Sequence, residues 1–334
     1  MHYLNLKNLR PGMVLAKPII GDNGSVLLRE NNTLSETTLR RIVDMGFQGA
    51  YINEPAFDDV IVDNIIDDDL RLNAFLSLKQ QNIQEAVHCA KDIVRELKYK
   101  EVLKLDLMDI KNDKNYDYKH CISVCIFSTV LGVSLELNEE QLGNLAVAGL
   151  LHDIGKFEIN ETVRFSQNRF NKSDMDEMKR HPIISYELLK DYPFVSSISR
   201  NAILFHHENM DGSGYYNVEE DKLGLFPRIL RVVDVYDSLT ALKKYRPASS
   251  PSDAIEYLMG HINTLFDSRI VRLFMSRFPL YPVGFTVLLS NGTPAVIVNN
   301  SINSMRPCIR LFDGTNIDLS SDPHYRSVTI TEFI

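Results

Sequence analysis

From about residue 70 to 280, apolar side chains recur at three- and four-residue spacing, as in Leu72, Phe75, Leu76, Ile83, Val87, Ile93, Val94 and Leu97, with no glycine between Gly49 and Gly132. That period predicts an all-α domain over 71–280. The pattern differs on both sides. Over 1–54, Val14-Leu15-Ala16 and Ile19-Ile20 read as extended chain, Asp22-Asn23-Gly24 as a hairpin turn and Val26-Leu27-Leu28 as the returning strand. Ser35 then caps a helix through Leu39, Ile42 and Val43 that stops at Gly46, and Ala50-Tyr51-Ile52 closes a small α+β module. This module reads as a regulatory, partner-binding or accessory unit. Residues 55–70 carry Asp58, Asp59, Asp63 and Asp67 to Asp69 and read as an acidic connector with a solvated face. From Tyr281 onward, segments such as Phe285–Leu289, Ala295–Val298, Ile309–Phe312 and Val328–Ile330, punctuated by Asn291-Gly292 and Asp313-Gly314, predict a small β-rich segment over 281–334. The expected fold class is therefore mainly α with two small flanking units.

Within the helical region, polar residues interrupt the apolar pattern at telling places. Tyr118-Lys119-His120 opens a helix that runs to Gly132, and Asn138 with Gln141 has capping-box spacing for the next one. That second helix delivers His152 and Asp153 at its C-terminal end, followed by Gly155 and Lys156. His181 precedes Pro182 at the start of another helix, and the helix from Ile198 to Phe205 ends in His206-His207-Glu208, before the loop Asp211-Gly212-Ser213-Gly214-Tyr215-Tyr216. Five of the nine histidines thus lie between positions 120 and 207. Imidazoles with carboxylates suit divalent first-row metals such as iron and manganese, and the scarcity of nearby thiols speaks against a structural cysteine–zinc site. Asp234, inside the apolar run Ile229–Leu239, is costly to bury without a partner, either a metal or a structural hydrogen bond. Lys156 can serve catalysis or end its helix favourably.

The formal net charge of -8 makes a general nucleic-acid or acidic-membrane surface unexpected, so an anionic ligand needs a local positive centre. No apolar run reaches the roughly 18 residues that span a bilayer, and the first residues lack the features of a signal peptide. A cytoplasmic protein is expected. Cys89, Cys121, Cys125 and Cys308 have no disulfide-framework spacing, and Cys121 and Cys125, one turn apart, read as packing residues rather than ligands.

Taken in order, His120, His152-Asp153-Ile154-Gly155-Lys156, Lys179-Arg180-His181-Pro182, His206-His207-Glu208, Asp211-Gly212-Ser213-Gly214-Tyr215 and Asp234-Val235-Tyr236-Asp237-Ser238-Leu239-Thr240 resemble the HD-GYP subgroup of HD-domain metal-dependent phosphohydrolases over about 115–275. The resemblance implies a helical domain that hydrolyses cyclic di-GMP to pGpG or GMP with water activated between divalent metals. It implies His120, His152, Asp153, His181, His206, His207 and Asp234 as metal ligands, with Asp153 as the bridge. By the same resemblance Lys156 is expected to join Asp153 in catalysis, and Tyr215, Asp237, Lys243, Tyr245 and Arg246 are expected to contact the substrate. There are departures from the pattern. Tyr216 stands where the signature has proline, and the loop after it is one residue short and lacks the usual glycines. Tyr116 stands where three-metal members carry a glutamate, which favours two metals, and Lys243-Lys244 replaces arginine–proline. The leading expectation is a cyclic di-GMP phosphodiesterase that acts on no nucleic-acid polymer. Alternatives are a metal-containing cyclic di-GMP receptor of little turnover and a phosphohydrolase of another nucleotide. A homodimer and a signalling partner at the N-terminal module are compatible with each.

Overall fold

In the computed structural model the described residues are 1–21, 25–47, 49–62, 64–100, 115–164, 166, 170–241, 249–300 and 305–334. The chain opens with strand β1 (His2–Asn5), followed by β2 (Val14–Leu15), the antiparallel pair β3 (Ile19–Ile20) and β4 (Val26–Leu28), helix α1 (Glu36–Asp44) and β5 (Gly49–Asn53). The expected turn Asp22-Asn23-Gly24 lies outside the described residues. Ser35 and Thr38 form a reciprocal capping box that starts α1, and Gly46 ends it with φ at +78°, a conformation glycine adopts without a steric penalty. Strand β5 pairs antiparallel with both β1 and β2, in the order β1-β5-β2.

The helical part comprises α2 (Asp68–Lys79), α3 (Ile83–Leu97), α4 (Tyr116–Ser134), α5 (Glu139–Leu151), α6 (Glu161–Arg164), α7 (Lys172–Met178), α8 (His181–Leu189), α9 (Ser197–Leu204), α10 (Leu225–Thr240), α11 (Pro251–Gly260) and α12 (Ser268–Arg277). Every residue of α4 from His120 to Gly132 is buried, as expected of a helix that is apolar on all sides and packed centrally. Helix α5, started by the Asn138–Gln141 capping box, lies against it. A Cβ at Gly149 would come within 2.7 Å of Ser128 Oγ and 2.9 Å of Cys125 Cα, so only glycine permits this approach of α5 to α4.

The C-terminal strands β6 (Thr286–Leu289), β7 (Pro294–Asn299), β8 (Cys308–Leu311), β9 (Asn316–Asp318) and β10 (Ile330–Phe333) form an antiparallel sheet in the order β10-β6-β7-β8-β9. Successive strand residues point to opposite faces, and the two faces have different partners. Val287, Leu289, Ala295, Ile297 and Ile309 continue the helical core through Phe278 and Leu280. Val296 on the opposite face, and Phe285 just before β6, pack instead with Tyr3, Tyr51, Phe57, Val60 and Val62. The amide of Tyr3 donates to Gly284 O at 2.6 Å, and the rings of Tyr3 and Phe285 lie 4.8 Å apart. The two flanking β-rich parts, read separately from the sequence, therefore share a core.

The acids of the connector, Asp58, Asp59 and Asp67 to Asp69, are exposed as a solvated face requires, but most of the apolar residues between them are not. Phe57, Val60, Val62, Ile65 and Ile66 are buried, because the apolar residues between the acids pack under both sheets and helix α2. Asp59 pairs with Arg310, and Asp67 caps α2 by accepting from the amides of Asp69 and Leu70. Asp63 lies outside the described residues. Cys89, Cys121, Cys125 and Cys308 are free, and among the described residues no helix is long and apolar enough to cross a membrane.

Candidate metal centre

Five helices bring the chemistry together. His120 lies in the second turn of α4, His152 ends α5, and Asp153 leads into a 3-10 turn, Ile154–Glu158, that carries Lys156. His181 begins α8, His206 and His207 follow the last residue of α9, and Asp234 and Asp237 lie on α10. Gly155 sets the closeness of the turn to α8. A Cβ there would meet His181 O at 2.2 Å and Ser185 N at 2.7 Å. The Gly155 amide donates to Ser185 Oγ at 2.8 Å, and that hydroxyl donates to His152 O at 3.0 Å, locking the turn on α8.

The donor atoms form two groups. His120, His152 and Asp234 make one, and Asp153, His181, His206 and His207 the other, with the donor atoms of each within 4.8 Å of one another. Asp153 faces both: its Oδ2 is 3.3 Å from His152 Nε2 and 3.5 Å from His120 Nε2, and its Oδ1 is 3.1 Å from His181 Nε2 and 3.8 Å from His206 Nε2.

The outer nitrogens of four rings fix where the protons are. His152 Nδ1 faces Gly149 O at 2.8 Å, His181 Nδ1 faces Met178 O at 2.7 Å, His206 Nδ1 faces Ile203 O at 2.6 Å, and His120 Nδ1 faces Asp237 Oδ2 at 2.6 Å. A carbonyl or carboxylate oxygen only accepts, so each Nδ1 carries a hydrogen and each Nε2 is turned inward, free to offer a lone pair whenever it carries no proton. The Nε2 atoms of His181 and His206 then face each other at 3.3 Å without a shared proton, while His120 Nε2 lies 3.3 Å from His152 Nε2 and 3.1 Å from Asp234 Oδ1, which accepts its hydrogen when the ring is protonated. Asp153 Oδ1, though near His181, is buried and accepts no hydrogen bond. Converging lone pairs around an unsatisfied carboxylate oxygen, each held from behind by an acceptor, make a cluster able to bind divalent metal.

The electrostatics agree. Burial opposes ionisation of Asp153, but His152 and Lys156 hold its pKa well below the usual carboxylate range, and Asp234 is held down against burial chiefly by its hydrogen bond to His120. Burial lowers the pKa of His181, and with neighbouring imidazoles it pushes His206 and His207 well down, so these rings stay neutral. His120 is the exception. Burial pulls it down, but Asp234 and Asp237 outweigh that and raise it to about 9. Cys121 Sγ reaches His152 and Asp153, yet burial raises its pKa far enough to keep it a thiol.

Solvent reaches the cluster on one side. Asp234, His207 and Lys156 side chains are 9%, 14% and 18% exposed, against 2% or less for His120, His152, Asp153, His181 and His206. Lys156 Nζ donates to Asp153 Oδ2 at 2.5 Å. Tyr215 stacks on His207 with centroids 4.4 Å apart, and Lys179 Nζ lies 5.3 Å from the Tyr215 ring. Tyr116, at the position where the resemblance puts a glutamate in three-metal proteins, stacks on His120 at 5.5 Å.

Asp237, expected among the substrate contacts, is instead buried behind His120, because its carboxylate is taken by the ring's Nδ1. Lys243, Tyr245 and Arg246 lie outside the described residues. Sequence reasoning passed over Ser185, Arg231 and the role of Glu208, which is buried and accepts from the amides of Tyr216 and Val218 at 2.8 Å each. The signal for Glu208 was present: a carboxylate directly after a histidine pair, ahead of a glycine-rich loop.

The sequence model of the HD domain family matches residues 79–270. A Pseudomonas aeruginosa protein named a cyclic di-GMP phosphodiesterase is 30% identical over 210 residues, covering 62% of this chain and 50% of its own. A Xanthomonas campestris pv. campestris response regulator, also named a cyclic di-GMP phosphodiesterase, is 36% identical over 140 residues, 41% of this chain and 37% of its own. The chain thus spans about half or less of the length of these two relatives. Among solved structures, one described as an HDG"Y"P protein from Bdellovibrio bacteriovorus is similar with a TM-score of 0.50 at 17% identity, over 81% of this chain and 97% of that one. At that identity the likeness concerns the fold alone.

Proposed function

This chain belongs to the HD domain family, and on that premise we propose that it is a metal-dependent phosphodiesterase that hydrolyses cyclic di-GMP to pGpG or GMP. The observation that carries the reading is the set of inward Nε2 atoms gathered about Asp153, whose two oxygens face two donor groups. The names of the two bacterial relatives support the substrate class.

His120, His152 and Asp234 would hold one divalent cation and His181, His206 and His207 a second, with Asp153 shared between them. Iron is the first choice and manganese the second. Two such cations supply a nucleophile from water at neutral pH and charge for the phosphoryl oxygens. The protein's own groups do the rest. Asp237 fixes the tautomer and direction of His120, and the backbone carbonyls of Gly149, Met178 and Ile203 do the same for His152, His181 and His206. Lys156 stays protonated beside Asp153 and extends positive charge to the exposed edge, where a developing oxyanion needs a donor. Tyr215, stacked on His207, walls that edge.

A receptor that binds the dinucleotide with little turnover is the second reading, motivated by Tyr216 in place of proline. Single-turnover hydrolysis separates the two. Anaerobically purified protein, loaded with iron(II) or manganese(II), is mixed with cyclic di-GMP and the products are resolved by chromatography beside D153A. Linear pGpG or GMP from the wild type alone supports the phosphodiesterase. Bound metal and bound dinucleotide without product favours the receptor.

A further inference from the structure

Arg231 lies on α10 one turn before Asp234, on the same helix face. Its Nη1 is 3.4 Å from His207 Nδ1, its Nε donates to Asn209 Oδ1 at 3.0 Å, and its guanidinium carbon lies 5.8 Å from the Phe266 ring. This half-buried cation therefore reaches the solvent-accessible edge of the metal cluster. Its environment differs from that of Lys156, Arg164 and Arg228. Lys156 is matched by Asp153, Arg164 by Asp117 at 2.8 Å and Arg228 by Asp267 at 3.2 Å. Among the described residues Arg231 forms no ion pair; its partners there are an amide oxygen and an imidazole.

A guanidinium has five N–H donors, and these two contacts leave others for a ligand. A single phosphodiester at the shared carboxylate Asp153 would already have the cations and Lys156. A cyclic dinucleotide carries a second phosphate, displaced from the scissile one and equally charged. We propose that Arg231 binds this second phosphate and thereby sets the preference for a cyclic dinucleotide over a simple phosphodiester. Planar two-point contact suits guanidinium and phosphate, so lysine at 231 keeps the charge but not the geometry. The inference rests on the phosphodiesterase reading, and the test keeps the two apart.

Wild type, R231Q and R231K, loaded with manganese and matched for metal content, are assayed with cyclic di-GMP and with bis(p-nitrophenyl) phosphate. Inhibition of the second reaction by cyclic di-GMP is measured as well. In R231Q, KM or the inhibition constant for cyclic di-GMP is expected to rise about tenfold, the size of one charge-assisted hydrogen bond. The ratio of kcat/KM for the dinucleotide to that for the small diester falls by the same factor, and R231K falls between. An unchanged ratio overturns the assignment, as does equal loss on both substrates accompanied by weakened metal binding, which makes Arg231 a support for His207. Wild type that cleaves the small diester and is inhibited by cyclic di-GMP without cleaving it removes the phosphodiesterase reading, yet its inhibition constants still decide the role of Arg231. Wild type for which cyclic di-GMP is neither substrate nor inhibitor overturns both.

Discussion

The Nδ1 of His120 lies 2.6 Å from Oδ2 of Asp237, two buried groups 117 positions apart in the chain. The carboxylate makes His120 present Nε2 to Asp234 and Asp153 and raises the basicity of the ring. Replacing such a partner typically weakens metal binding by about 10- to 100-fold. D237N is therefore expected to keep its helicity and lose metal affinity at the His120 group by about that factor, read by competition with a chromogenic chelator. Unaltered affinity would return Asp237 to a substrate role.

A proton competes for the same nitrogen. In the metal-free protein His120 has its pKa raised to about 9 by Asp234 and Asp237 against the pull of burial. A histidine raised in the folded state contributes stability that is present in full below its unfolded value, about 6.5. That contribution is lost as pH rises toward 9, so the metal-free protein should lose stability over this interval. Metal must displace the proton, so apparent manganese affinity should rise by about a factor of ten per pH unit between pH 7 and 9 and then level off. Calorimetric titration in buffers of different ionisation enthalpy reads the released proton directly. A flat affinity profile with no proton release would mean that His120 is neutral before metal arrives.

Gly155 offers a test of packing rather than charge. An added methyl would meet two backbone atoms, His181 O at 2.2 Å and Ser185 N at 2.7 Å, neither of which can rotate away. G155A should cost about 3 kcal/mol through overpacking, lower Tm by several degrees and separate Asp153 from His181 enough to reduce metal content. Full metal content at an unchanged Tm would show that the turn is free to shift.

What could be read from the chain was local. The capping residues Ser35 and Asn138 act within three positions of themselves, and both start the helices their spacing announced. The helical period of 71–280 and the order of imidazoles and carboxylates along it were equally plain. Which oxygen of Asp153 serves which donor group was not, because that depends on how α4, α5, α8, α9 and α10 converge, and no single segment encodes it. Asp237 illustrates the limit. Its helical phase places it close to Asp234, but only the position of His120 on another helix decides that it faces a ring and not the opening. Strand β1 and the burial of the connector's apolar residues were missed for a related reason. Tyr3 finds its partners in β5 and at Gly284–Phe285, and Phe57 and Val62 are covered by residues from both ends of the chain. Periodicity tells which face is apolar and leaves open what covers it.

The loop at Tyr216 gives the prediction furthest from family analogy. Restoring the signature proline at this position would be expected, by resemblance alone, to improve the site. Here the Tyr216 amide donates to Glu208 Oε1 and the Val218 amide to Oε2, each at 2.8 Å, so one buried carboxylate ties both ends of the bend. Proline has no N–H to give. Y216P would thus remove a charge-assisted bond worth about 1.5–3 kcal/mol and leave Oε1 buried with one partner fewer. E208A would leave two amides unpaired and should be at least as damaging. Both variants are expected to melt at lower temperature than wild type and to bind cyclic di-GMP more weakly, with metal content preserved because neither residue contributes a donor atom to the cluster. A Y216P protein of undiminished Tm and tighter dinucleotide binding would overturn this account of the loop and make the tyrosine, rather than the Glu208 clamp, the feature that separates this chain from the family pattern.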